Sequence, residues 1–177
     1  MLEPHERQAL LQLARWAIAA RLEGRSVDAP PAVGGLGRRT GAFVTIRHNN
    51  RLRGCLGSVE DDAPLVEVVA RCAGDAATRD PRFSPLPLDD LPHVVLEISV
   101  LSAVEPVADP ADVEVGRHGL VVQQGTHRGL LLPQVPTEWG WDRETFVSQT
   151  CVKAGLAPDA WRSGARLFTF EADVFGE

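Results

Sequence analysis

The sequence predicts an α+β fold with a mostly antiparallel sheet and flanking helices. Strand-like segments that follow one another are joined by short turns, and apolar residues recur at helical spacing in three longer segments. The regular alternation of strand and helix that is typical of a parallel sheet is missing. The length predicts a single domain, residues 1–177, which could consist of two sub-lobes that share one core.

An amphipathic helix is predicted at the start of the chain. Pro4 suits a first helical position, Gly24 suits a stop, and the apolar residues between them follow helical spacing. Residues 25–40 are predicted to form a loop, because they contain Pro30-Pro31 and several glycines. The glycines allow the backbone to approach another group closely.

A β-hairpin is predicted next. Gly41–His48 is rich in β-branched and aromatic residues, Asn49-Asn50 suits a tight turn, and Arg51–Val59 returns as the second strand. In a tight hairpin, His48 would face Arg51, Ile46 would face Arg53 and Val44 would face Cys55.

A second helix follows Pro64, with acidic residues before it and an apolar stripe that includes Cys72. Asp80–Leu88 contains three prolines, which exclude regular structure. Val94–Leu101 is predicted to be a strand covered on both faces, because it is almost entirely apolar.

The second half of the chain predicts short strands and one longer helix. The helix begins after Asp142, a good N-cap, and extends through Ala154 to a stop at Gly155. Pro158–Trp161 is predicted to be one further turn, and Leu167–Phe175 one closing strand with alternating polarity. Three shorter strands are predicted before the helix: Val113–Val115, Leu120–Gln123 and Gly129–Leu132.

Composition excludes several classes of protein. A net charge of −6 and a pI near 5.4 disfavour a nucleic-acid binder, and no apolar run is long enough to cross a membrane. The odd number of cysteines, Cys55, Cys72 and Cys151, suits free thiols in a reducing compartment, so we expect a cytoplasmic protein. Phosphate-loop, nucleophile-elbow and zinc-ligand spacings are missing, and we expect neither a cofactor nor a metal.

The strongest candidate for chemistry is the segment LRGCLG. In a regular strand, Arg53 and Cys55 share a face with their Cα atoms about 7 Å apart. A guanidinium that close to a thiol favours the thiolate, and Gly54 and Gly57 would let a substrate or another backbone approach. The alternative is a structural cysteine packed among the aliphatic residues of the facing strand, which the residues alone favour by roughly two to one.

The sequence resembles the AMMECR domain, the AmmeMemoRadiSam system protein A family. The segment LRGCLGSVE resembles the family signature. GAFVTI, DPRFSPL, EISVLS, GRHGLVV, RGLLLPQVPTEWGW, CVKAGL and FTFEADVF resemble family segments in family order, from about Gly41 to Glu177.

The resemblance implies a compact α+β protein of two lobes, with the signature strand near a cleft between them. It also implies a pathway shared with Memo-like and radical-SAM proteins, but no established reaction. The residues carried over by position are the signature residues Arg53, Gly54 and Cys55, and the secondary candidates Asp80, Arg82, Glu97, His118, Gln134 and Glu138.

Each secondary candidate has a structural alternative. Glu97 interrupts an apolar strand, where an ion pair is about twice as probable as an acid of an active site. Asp80 and Arg82 flank Pro81 and are able to pin an irregular loop. His118 lies in a glycine-flanked turn and would act as a base only if the fold brings it to Cys55.

Gln134 and Glu138 lie between a strand and a helix, a common place for binding residues. Trp139 and Trp141 in the same segment would line a pocket, pack in a core or pack at a lobe interface.

Two functions therefore stay open. In the first, the protein is an enzyme or enzyme subunit that uses a Cys55 thiolate, with Arg53 lowering the thiol pKa and Glu97 or His118 handling protons. In the second, it is a non-catalytic module that binds a substrate or a protein, and Cys55 is structural. The Arg–Cys pair favours the first, and the lack of a complete nucleophile–base–orienter set favours the second.

Overall fold

The computed structural model of the chain describes residues 2–177, which form helices and two four-stranded sheets. The predicted α+β class with mostly antiparallel pairing is confirmed. The chain divides into two units, one comprising residues up to Leu101 together with Asp173–Glu177, the other Ser102–Ala172. The elements in chain order are α1 (Pro4–Leu22), β1 (Ala42–His48), β2 (Arg51–Ser58), α2 (Leu65–Thr78), β3 (Val94–Leu101), β4 (Glu105–Val107), β5 (Gly119–Gln124), β6 (His127–Leu131), α3 (Gln134–Trp139), α4 (Arg143–Lys153), β7 (Arg166–Phe170) and β8 (Ala172–Gly176).

The first unit packs α1 and α2 against a sheet with the strand order β2-β1-β3-β8, in which β1 pairs antiparallel with both β2 and β3. The apolar stripes of both helices meet the alternate residues Val44, Ile46, Leu96 and Ile98 in one buried cluster. The expected cover on both faces of β3 is wrong at its start, because the Val95 side chain points away from this core and is 46% exposed.

The glycines of the predicted loop surround a carboxylate of α1. The amide of Gly35 donates a hydrogen bond of 2.6 Å to Oε1 of Glu6, and the Glu3 amide donates to Oε2. A Cβ atom at Gly35 would lie 2.6 Å from the Glu6 carboxylate, so the close approach that the glycines allow is to Glu6. Both bonds favour the charged form and lower the pKa of Glu6.

The second unit has its own sheet, with the order β4-β7-β5-β6, and its own buried cluster, which includes Phe146 and Val147 of α4. Asp142 caps α4 by accepting a hydrogen bond from the Thr145 amide, as the sequence predicted. The short helix α3 and the edge strand β4, which contains Pro106, were not predicted.

The predicted strand Val113–Val115 is wrong. Val113 follows a short 3₁₀ helix, Pro110–Asp112, and its side chain is buried although its backbone is not part of a sheet. Its carbonyl accepts a hydrogen bond from Nε of Arg143, which replaces a strand partner. A buried β-branched residue therefore gave the same sequence signal as a strand.

The predicted single strand Leu167–Phe175 is also wrong. It is two strands, β7 and β8, which belong to different sheets and are separated at Glu171. Ser102 satisfies the backbone at this break, because its amide donates to the Glu171 carbonyl and its hydroxyl accepts from the Glu171 amide. Among the described residues, no helix combines the length and the apolar character needed to cross a bilayer.

Candidate functional site around Cys55

The hairpin that carries the signature segment closes as predicted but changes register after its first two pairs. Asn49 and Asn50 both have positive φ angles, 52° and 61°, as a tight hairpin turn requires, and His48 pairs with Arg51. A bulge then lies between Arg47 and Ile46.

The bulge makes Arg53 the extra residue of β2, so Ile46 pairs with Gly54 and Thr45 pairs with Cys55. The predicted pairs of Ile46 with Arg53 and of Val44 with Cys55 are therefore wrong.

The new register changes the surroundings of the cysteine. Paired residues point to the same side of a sheet, and Val44 and Ile46 point into the core of the first unit. Cys55 therefore lies with Thr45 on the face opposite the helices, not among the aliphatic residues. The thiol is half-buried, whereas Cys72 and Cys151 are buried, and all three cysteines are free.

Arg53 is not the cationic neighbour of the thiol, contrary to the prediction. Nη1 of Arg53 donates a hydrogen bond of 2.8 Å to the Ser84 carbonyl, and Nη2 donates one of 3.3 Å to the Pro85 carbonyl. Its guanidinium also lies 5.9 Å from the centre of the Phe83 ring. These contacts direct Arg53 to the loop that follows α2, because the bulge removes it from the alternation that would place it beside Cys55.

Arg82 and Asp80 occupy the place expected of Arg53. The Asp80 side chain, only 1% exposed, accepts hydrogen bonds from the Cys55 amide at 2.9 Å and from Nε and Nη2 of Arg82 at 2.9 and 2.7 Å. Nη2 of Arg82 also donates to the Cys55 carbonyl at 3.3 Å.

The strand β2 is an edge strand, and these bonds satisfy its outward-facing backbone groups at Cys55. We call Asp80, Arg82 and the Cys55 backbone the edge clamp.

The edge clamp has a charge balance that keeps Asp80 ionised. The hydrogen bonds from the Arg82 side chain are the main cause that lowers the pKa of Asp80 to about 2, and the Cys55 amide adds to the effect. Asp80 also accepts a hydrogen bond from the Arg82 amide. The two residues therefore hold the irregular loop in place, which is the structural alternative considered for them.

The thiol of Cys55 favours its neutral form. Burial raises the pKa of Cys55 above its ordinary value, and the nearby carboxylates of Asp80 and Glu97 act in the same direction. A hydrogen bond of 3.2 Å from the Thr45 hydroxyl and the positive charge of Arg82 oppose this shift without overcoming it. Arg53 is not among the groups that shift the pKa of Cys55, and the positive charge that favours the thiolate comes from Arg82.

The glycines beside the cysteine are filled by the protein's own atoms. A Cβ atom at Gly54 would lie 2.2 Å from the Ala76 carbonyl oxygen of α2, and one at Gly57 would lie 2.2 Å from the Ala42 carbonyl oxygen. These two glycines therefore allow the close approach of another backbone segment, which was one of the two predicted uses; the other was the approach of a substrate.

Glu97 and Ser99 share the face of the sheet on which Cys55 lies. Thr45 pairs with Cys55 on one side and with Glu97 on the other, so the three residues form one row across β2, β1 and β3. Ser99 is two residues beyond Glu97 and 1% exposed, and its hydroxyl has no hydrogen-bond partner within residues 2–177. Thr45 and Ser99 were not predicted as site residues, because their place in the row depends on the register.

Three predicted site residues lie in the second unit. Nδ1 of His118 accepts a hydrogen bond from the Glu114 amide, which fixes the imidazole within its turn. His118 also lines a concave space of about 640 Å³ together with Glu105 and Glu171. Its action as a base on Cys55 stays a prediction.

Gln134 and Glu138 belong to α3. Oε1 of Gln134 is buried without a hydrogen-bond partner in the described part of the chain, whereas Glu138 is exposed. The Trp139 ring stacks on the Trp141 ring with 6.1 Å between centroids, and Trp139 is 70% exposed, so it is not a core residue. No group of three or more His, Cys, Asp or Glu residues in the described chain is placed to hold a metal ion.

Comparison with known proteins extends over nearly the whole chain. The AMMECR1 family model matches residues 11–175. A protein of Methanothermobacter thermautotrophicus is 44% identical over 183 residues, which cover 97% of this chain and 94% of the relative. Protein Mbar_A1807 of Methanosarcina barkeri is 41% identical and covers 100% of this chain and 93% of its own.

A solved structure has the same fold. The crystal structure of the uncharacterized protein PH0010 from Pyrococcus horikoshii superimposes with a TM-score of 0.90 at 41% sequence identity. The match covers 95% of this chain and 89% of that chain. Neither of the two named relatives nor PH0010 carries a stated activity in its name.

Proposed function

Because the chain belongs to the AMMECR1 family, we propose that it is a non-catalytic binding module in which Cys55 is a structural residue. The observation that carries the proposal is the setting of Cys55: its side chain is half-buried, and the edge clamp engages both its amide and its carbonyl. Burial also raises the pKa of its thiol. A nucleophilic cysteine needs its thiolate near neutral pH, whereas the surroundings of Cys55 favour the protonated thiol.

The module serves a pathway with Memo-like and radical-SAM proteins and works in the cytoplasm. The pathway is what the sequence resemblance implies, and three free thiols suit the reducing conditions of the cytoplasm. The role of the module is to bind a substrate or one of these proteins, which fits the lack of a complete set of nucleophile, base and orienting group around Cys55.

The proposal is tested by the rate of Cys55 alkylation as a function of pH, resolved by peptide mass spectrometry. We expect native Cys55 to react at pH 7 more slowly than in the urea-unfolded protein, because burial raises its pKa. Cys72 and Cys151 are buried internal references within the same sample. A native Cys55 that reacts faster than the unfolded thiol at pH 7 would exclude a structural role.

A matched pair of variants identifies the cation that acts on the thiol. Arg82→Gln should raise the thiol pKa further, because Arg82 is the positive charge that stabilises the thiolate. Arg53→Gln should leave the pH profile unchanged, because its guanidinium bonds to the Ser84 and Pro85 carbonyls. The opposite order would restore the role first expected of Arg53.

A second candidate function is a thiol enzyme that ionises Cys55 only after a substrate binds. The observation in its favour is the row of Cys55, Thr45 and Glu97, which places a hydroxyl between a thiol and a carboxylate on one face. In that case Cys55→Ser would abolish the activity of the reconstituted pathway while the protein still folds. A structural Cys55 instead predicts that Cys55→Ser keeps activity and binding to the Memo-like and radical-SAM proteins in a pull-down from purified components.

A further inference from the structure

The β1–β2 hairpin is a basic segment in an acidic protein. Residues 41–59 contain three arginines and one histidine and no Asp or Glu, whereas the whole chain has a net charge of −6. The basic side chains are concentrated near the turn, where His48 and Arg51 form the first pair and Arg53 follows two residues later. The guanidinium charges of Arg51 and Arg53 lie two residues apart in one strand, and a bound anion would balance them.

The pair at the turn has no internal counter-charge. His48 and Arg51 are directly opposite each other, so their Cα atoms are about 5 Å apart and their side chains share one face. Throughout residues 2–177, neither side chain has a carboxylate partner. Asn49 and Asn50 hold the turn in one conformation, so the two side chains stay close together.

Arg53 adds a second, fixed guanidinium beside this pair. Two of its five N–H groups donate to the Ser84 and Pro85 carbonyls, and the Phe83 ring lies beside it. These contacts orient the guanidinium without neutralising it, since none of the three partners is charged. The remaining N–H groups are donors for a ligand.

A concave space of about 530 Å³ joins these groups. It is lined by His48, Asn49, Arg51, Leu52 and Arg53, and it contains no acidic side chain among its lining residues. The volume suits a small molecule, for which ligand sites of roughly 300–1,000 Å³ are typical. Two guanidinium groups and an imidazole around such a space are donors suited to the oxygens of a multiply charged oxyanion.

We propose that this hairpin pocket binds the phosphate groups of a small phosphorylated molecule, with Arg51 and Arg53 as the main donors and His48 as a third. The proposal rests on the proposed function, because it names the ligand chemistry of a binding module. A nucleic acid is disfavoured, since the chain as a whole is acidic and the pocket involves only the tip of one hairpin.

The test is calorimetric titration of the full-length protein with inorganic pyrophosphate, which has two phosphate groups. Inorganic phosphate, which has one, is the comparison ligand. We expect saturable binding of one pyrophosphate, tighter than phosphate and weakened by added salt. Arg51→Gln should weaken it by about tenfold or more, because it removes charge-assisted hydrogen bonds. The control Arg79→Gln removes the same charge from the same unit, at a side chain that is 70% exposed and does not line the pocket. It should change the affinity by less than about twofold.

The outcomes separate this proposal from its alternatives. Absence of saturable binding, or equal weakening by Arg51→Gln and Arg79→Gln, would overturn it. A single-stranded oligonucleotide that displaces pyrophosphate and binds more tightly would replace it with a nucleic-acid site. None of these results alters the alkylation profile of Cys55, so failure of the anion site is distinguishable from failure of the proposed function. Circular dichroism of Arg51→Gln checks that the variant folds, and His48→Gln gives a second, independent loss of affinity.

Discussion

Replacing Asp80 by Asn tests whether the edge clamp holds the signature strand through charge. The carboxylate accepts four hydrogen bonds, from the Cys55 amide and from the amide, Nε and Nη2 of Arg82. An amide group at the same position has one acceptor oxygen and turns an NH₂ toward donors that it is unable to satisfy. The substitution keeps the size of the side chain, so the loss reports on charge and hydrogen bonding.

The expected magnitude follows from the pKa. Asp80 has a pKa of about 2 in the folded protein against an ordinary 3.8, and each tenfold change in proton affinity corresponds to about 1.4 kcal/mol. Ionised Asp80 therefore stabilises the fold by about 2 kcal/mol at neutral pH. Because the folded pKa is the lower one, this stabilisation is complete above pH 3.8 and is lost as the pH falls through 2.

The assay is urea unfolding of the wild type and Asp80→Asn between pH 2 and pH 7, followed by circular dichroism. We expect a difference in the free energy of unfolding of about 2 kcal/mol at pH 7 that shrinks below pH 4. Hydrogen exchange at the Cys55 amide should lose protection selectively, because that amide loses its charged acceptor. The matched control is Asp89→Asn, an exposed carboxylate in the 3₁₀ helix Leu88–His93, which should change stability by less than about 0.5 kcal/mol.

Two results would refute the reasoning about the edge clamp. Equal stability of the wild type and Asp80→Asn at pH 7 would mean that the hydrogen bonds to Asp80 contribute nothing measurable. A difference that persists unchanged at pH 2 would mean that the loss comes from the shape of the amide and not from the missing charge.

Two further predictions concern residues that contact neighbouring backbone. Gly54→Ala should destabilise the first unit by roughly 1–3 kcal/mol in urea unfolding, because the added methyl would lie 2.2 Å from the Ala76 carbonyl oxygen. Unchanged stability would mean that α2 is able to shift away from β2 at no energetic cost. Glu6→Gln should lower stability above pH 4.5 and have less effect in acid, since the folded pKa of Glu6 lies below 4.5 and its charge stabilises the fold above that pH. Melting temperatures of wild type and variant that differ by a constant amount from pH 3 to pH 7 would contradict this.

Local sequence signals predicted the elements whose cause is local. The Asn49-Asn50 turn, the cap at Asp142 and the apolar stripes of α1 and α2 each depend on a few adjacent residues, and each is present in the structure. The bulge in β2 has a different origin. It accompanies contacts from Arg53 to Ser84 and Pro85, about thirty residues later in the chain, which no pattern within the hairpin records.

The candidate site shows the same division. Cys55, Asp80 and Arg82 were each predicted as candidates, because each belongs to a recognisable segment. The spacing of two residues, however, assigned the cationic role to Arg53. The actual neighbour, Arg82, comes from a loop 27 residues away and reaches the Cys55 carbonyl only because Asp80 orients it. A regular alternation was assumed, and one extra residue in the strand invalidated it.

The edge clamp also gives a structural reason for two segments to occur together. LRGC supplies an edge strand whose outward amide and carbonyl at Cys55 need partners, and DPRF supplies a carboxylate and a guanidinium that satisfy both. Phe83 completes the arrangement by lying beside both Arg53 and Arg82. A protein that must keep this edge closed to other strands would need both segments even if it catalysed nothing. The joint presence of the two segments is therefore expected of a binding module as much as of an enzyme, and the ionisation of Cys55 is the measurement that separates them.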